Sequence, residues 1–113
     1  MSENATLPEV TTQPKEKEEQ KTKQMPPYNV VLLNDDDHSF EYVIHMLQKL
    51  FGYPVEKGYQ MAEQVHTQGR VIVYTTYKEL AELKRDQIHA FGADPLITRC
   101  KGSMSAVIEP APG

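Results

Sequence analysis

The sequence has a single cysteine, Cys100, no long apolar run and no basic cluster interleaved with aromatic residues. One thiol excludes an internal disulfide and a multi-cysteine zinc site, and a buried, unreactive side chain is the ordinary reading of it. The longest aliphatic run, Val30 to Leu33, is far too short to span a bilayer, so no membrane partner is expected. No basic-then-apolar signal opens the chain, which points to a cytoplasmic location. Twelve Lys and Arg stand against 16 Asp and Glu, a net charge of −4, and no aromatic residues interleave with a basic patch. That balance argues against nucleic acid as the main partner.

Aromatic residues are absent from residues 1–24, where Leu7 and Val10 are the only large aliphatics. Such a segment cannot bury a face, so a disordered tail is expected over 1–24 and a folded domain over 25–113. At 113 residues the chain has room for one small domain with a modest core.

Within that domain, Tyr28 to Leu33 reads as a strand and runs into Asn34-Asp35-Asp36-Asp37. A helix should begin within Asp37–Ser39, whose short polar side chains accept from free N–H groups. Phe40, Val43, Ile44, Leu47, Leu50 and Phe51 then form one apolar stripe, and Gly52 ends it. Pro54 opens a second helix with Val55, Tyr59, Ala62 and Val65 on one face, stopped by Gly69. Val71 to Thr75 is β-branched and aromatic, a second strand. Thr76 and Glu79 spell a capping box for a third helix with inner positions Leu80, Leu83, Ile88 and Phe91, ended by Gly92. Leu96-Ile97-Thr98 and Met104 to Ile108 are both candidates for the last strand. The order β-α-α-β-α-β predicts an α+β fold, a small sandwich of three helices on a short antiparallel sheet.

Three carboxylates and an amide at a strand-to-helix junction exceed what one helix cap requires, and they suit a cation. His66 closes the second helix on the face of Ala62. Together the Asn34 amide oxygen, the Asp36 carboxylate and a neutral His66 nitrogen would offer three acceptors to a primary ammonium, which has three donors. Two bland readings stand beside this one. His66 can cap its own helix end, and Asp37 can cap the next helix while its neighbours are simply solvated.

Asn34-Asp35-Asp36, Glu41-Tyr42-Val43-Ile44, Leu47-Gln48, Val65-His66 and Gln68-Gly69 together resemble the ClpS family over residues 26–109. Those proteins are adaptors that deliver N-end-rule substrates to the Clp ATP-dependent protease. The resemblance implies an adaptor without catalysis, cofactor or metal, in which Asn34, Asp36 and His66 hold the free α-amino group of an N-degron. Asp35 adds to the acidic surroundings. A bulky first side chain would enter a pocket of Phe40, Val43, Met61, Ala62 and Val65, joined by Met104 if the last strand spans 104–109, or by Leu96 if it starts there; Met104 is preferred. Glu79 and Lys84 match positions that dock on the N-terminal domain of the Clp AAA+ unfoldase. Five residues apart, they point roughly 140° from each other on a helix, so they are no local ion pair.

The chain departs from the family pattern in ways that bear on specificity. His38-Ser39-Phe40 replaces Thr-Pro-Met, whose methionine acts as a gatekeeper against β-branched side chains. Ala62 is small where a bulkier residue is usual, and the stretch from Lys84 to Glu109 is longer than usual. Two rival functions remain open at this point. One is a metal-binding protein or hydrolase using Asp35, Asp36, Asp37, His38 and His66. The other is a structural interaction module that binds no peptide.

Overall fold

Asn29, Val30, Val31 and Leu32 are all buried, because strand β1 (Tyr28–Leu33) is the middle of a sheet ordered β2-β1-β3. The computed structural model describes residues 25–35, 37–96 and 102–112. After β1 come helices α1 (Phe40–Phe51) and α2 (Val55–Gln68), strand β2 (Arg70–Thr76), helix α3 (Lys78–His89) and strand β3 (Ala106–Pro110). The element order is the one expected, and both strand pairings are antiparallel. The expected tail, residues 1–24, lies outside the described residues, as do Ile97, Thr98 and Cys100. No described helix is long and apolar enough to cross a membrane.

Local chemistry sets most boundaries. Ser39 caps α1 by accepting from the Tyr42 N–H at 3.1 Å, and Gly52 ends it at φ 73°. Pro54 caps α2 with its fixed φ, and Gly69 ends it at φ 88°, its N–H returning to the Val65 carbonyl. The β1–β2 register slips between Val30 and Val31, so Val73 has no opposite residue. Its carbonyl accepts instead from the Tyr53 hydroxyl at 2.6 Å, which satisfies the polar group that the bulge frees.

The expected capping box of α3 is not formed. Strand β2 continues through Thr76, which pairs with Tyr28, and Tyr77 becomes the N-cap without a side-chain bond. The inner face of α3 also differs, since Ala81 and Ile88 are buried while Leu83 is 50% exposed. On α2, Gly58, Ala62 and Val65 are the buried positions, and Val55 and Tyr59 lie outside. Small residues mark the closest approaches here: a Cβ on Gly58 would stand 3.3 Å from the Ile44 Cα of α1. Helix α3 ends at His89 rather than at Gly92, and the last strand is Ala106–Pro110, two residues later than expected.

Candidate functional site

The end of β1 is fixed on both flanks. Leu33 N–H donates to Ser105 O just before β3, and Asn34 N–H donates to Gly69 O between α2 and β2, each at 3.0 Å. That second bond brings Asn34 to the end of α2, three residues beyond His66. Both side chains belong to exposed residues at this corner. Phe40, first residue of α1, stands between α2's Tyr59 and His66, its ring edge-on to each at 5.7 Å between centroids. His66 is thus positioned by an aromatic contact, and the terminal Val65 carbonyl is taken by Gly69 N–H.

The acidic loop divides its labour. Asp35 Oδ1 accepts from Asp37 N–H at 2.8 Å and lies 2.7 Å from His38 Nδ1, so this carboxylate braces the loop from within. Asp36 lies outside the described residues. Among the described residues, no group of three or more His, Cys, Asp or Glu side chains could hold a metal ion.

Of the six residues expected to line an apolar pocket, Val43, Ala62, Val65 and Met104 are 1–3% exposed and share one cluster. Phe40 and Met61 are partly buried and pack on that cluster from the rim. Met104, not Leu96, belongs to it: Leu96 is 64% exposed in a turn. A cleft of about 490 Å³ opens elsewhere, between Glu41, Tyr42 and His45 of α1 and the Phe91–Leu96 segment, and none of the six lines it.

Sequence reasoning missed the residues that hold the loop from behind. Asp94 is 2% exposed and accepts from Ser39 N–H at 2.6 Å and Leu96 N–H at 2.9 Å. Burial alone would raise its carboxyl. The bonds from the Ser39 and Leu96 backbones, the Ser39 hydroxyl and the nearby His38 outweigh this and hold it below the usual carboxylate range. Asp94-Pro95 reads in sequence only as a turn, and nothing local links it to residue 39.

On the third helix, Glu79 is exposed. Lys84 is half-buried: its ammonium donates to Leu50 O at 2.6 Å and lies 5.2 Å from the Phe51 ring centroid. It therefore binds the C-terminal end of α1, where free carbonyls favour a cation.

With this geometry in place, comparison with known proteins is decisive. The family described as "ATP-dependent Clp protease adaptor protein ClpS" matches residues 23–96. The chain belongs to the ClpS family. A ClpS adapter from Pectobacterium carotovorum is 42% identical over 79 residues, covering 68% of this chain and 74% of that protein. One from Methylococcus capsulatus is 41% identical over 70 residues, 62% of this chain and 66% of the relative. The solved structure of Agrobacterium tumefaciens ClpS2 bound to L-phenylalaninamide superposes with a TM-score of 0.67 at 24% identity, covering 76% of this chain and 98% of that one. That likeness bears on the fold, which it shares. The ClpS family match stops at Leu96, so β3 and the segment leading to it lie beyond the matched residues. The chain is accordingly an adaptor protein of the Clp protease rather than the protease itself.

Proposed function

We propose that this protein binds the free N-terminal residue of N-end-rule substrates, through the α-amino group and a bulky hydrophobic side chain, and delivers them to the Clp unfoldase. The observation that carries the reading is the corner where Asn34 is bonded to Gly69 and His66 stands one turn away beside Phe40. Asn34, Asp36 and His66 accept from the α-ammonium, and Asp35 adds negative charge. Phe40, Val43, Met61, Ala62, Val65 and Met104 receive the side chain. The ligand of the Agrobacterium tumefaciens neighbour, L-phenylalaninamide, has the same two chemical features, an α-amino group and a large apolar side chain.

Burying a Leu or Phe side chain contributes about 1.5–3 kcal/mol, and each hydrogen bond to a charged group about 1.5–3 kcal/mol. After the cost of association, binding near −8 kcal/mol, low micromolar, is expected. The protein acts without catalysis of its own, in the cytoplasm, and docks on the N-terminal domain of the unfoldase through Glu79 and Lys84 of α3, which face different sides of that helix. Degradation of a Leu-initiated reporter by the unfoldase–protease tests the proposal. The protein should accelerate it for a free N-terminus and not for an N-acetylated one. Equal acceleration of both reporters, or of neither, contradicts it.

A further inference from the structure

The loop between β1 and α1 is tied from behind by a distant stretch of chain. His38, its side chain 4% exposed, places Nδ1 2.7 Å from Asp35 Oδ1 and Nε2 2.8 Å from Gly102 O. The ring thus spans a side chain of the loop and a backbone carbonyl 64 residues away. One residue on, Ser39 N–H donates to the buried Asp94 carboxylate at 2.6 Å. The Tyr42 ring packs on His38 at 4.6 Å, and its hydroxyl donates to Gly92 O. Gly92 N–H in turn donates to the Ser103 hydroxyl, which draws the two ends of the 92–103 stretch together. None of these ties is needed to start α1, because the Ser39 hydroxyl already caps it. Two largely buried polar side chains thus tie Asp35, the neighbour of the exposed Asn34, and Ser39, the cap of α1, to the 92–103 stretch.

We propose that His38 and Asp94 are positioning residues for amine recognition: His38 against Asp35 and Gly102, and Asp94 against Ser39, hold Asp35 and the start of α1 in the arrangement beside Asn34 that receives an α-ammonium. This rests on the N-terminal-residue reading above. Neither side chain touches the ligand. They act by ordering the acceptors in advance, so that binding does not have to order them.

Calorimetric titration of the full chain with Leu- and Phe-initiated peptides and their N-acetylated twins separates the possibilities. His38→Ala and Asp94→Ala should each weaken binding of both free peptides about tenfold, roughly 1.4 kcal/mol. The free-to-acetylated ratio should shrink with it, while the Leu-to-Phe ratio stays at the unsubstituted value. Asp94→Asn retains one acceptor for Ser39 N–H and should recover part of the loss. A merely structural role would lower thermal stability and erode both ratios together. If the alanine variants do not fold, His38→Gln and Asp94→Asn carry the same comparison. Variants that keep the original free-to-acetylated ratio overturn the positioning role and leave the functional reading standing. An unsubstituted protein that does not distinguish free from acetylated peptide overturns that reading, and the positioning role with it.

Discussion

Phe40 packs its ring against Tyr59 and His66, so in the proposed pocket its bulk would meet an entering side chain while its contacts position the imidazole. Phe40→Ala should therefore admit Ile- and Val-initiated peptides and also cost stability, by less than the roughly 3–5 kcal/mol of a fully buried phenylalanine. Affinities for Ile- against Leu-initiated peptides, with a urea midpoint, test this; lost stability with unchanged selectivity makes Phe40 a core residue only. His66 is exposed and bears little of the core. His66→Ala should then weaken peptide binding about tenfold, roughly 1.4 kcal/mol, with an unchanged melting temperature. At this scale the sequence was legible wherever the signal is local. Ser39, Gly52 and Gly69 stand where capping chemistry puts them. Asp94 was not, because its partner Ser39 is 55 residues away.

Periodicity found all the helices and misjudged two of their faces. The apolar stripes run mostly through large residues, yet the buried positions of α2 and α3 also include Gly58 and Ala81, where small side chains let the elements approach. Val55, Tyr59 and Leu83 were left exposed as a result. The capping box at Thr76 failed for another reason: pairing with Tyr28 extends the strand and overrides the local cap. The close crossing of α1 and α2 predicts that Gly58→Val forces Ile44 aside and destabilises by about 1–3 kcal/mol, measurable as a lower urea midpoint. A second prediction concerns the turn that Asp94 anchors. Because its folded carboxyl is held low, its contribution is complete above the ordinary aspartate value of about 3.9 and is lost as pH falls through the lower folded value. Asp94→Asn should remove that part of the acid dependence of unfolding. An unchanged acid limb in the variant would rule out this anchor.

For the whole molecule, the β-α-α-β-α-β order brings the end of β1, the start of α1 and the end of α2 to one corner, which places Asn34 near the end of the helix that carries His66 and lets us propose one ligand for both. Every element but the last strand, for which two segments competed, was legible alone; their convergence depends on the Asn34–Gly69 bond and the β1–β2 register, which no local pattern encodes. Residues 1–24 could extend about 80 Å at roughly 3.3–3.6 Å per residue, and we propose that the unfoldase engages them during delivery. Deleting them should preserve peptide affinity but slow degradation of a Leu-initiated reporter, whereas full degradation would make them a solubilising extension only. The central claim is recognition of a free α-amino group, and one calorimetric comparison tests it: a Leu-initiated peptide against its N-acetylated twin. Acetylation removes the charge and two donors, so the free peptide should bind in the low-micromolar range, about −8 kcal/mol, and the acetylated one at least about a hundredfold more weakly. Equal affinities for the two peptides would contradict the account.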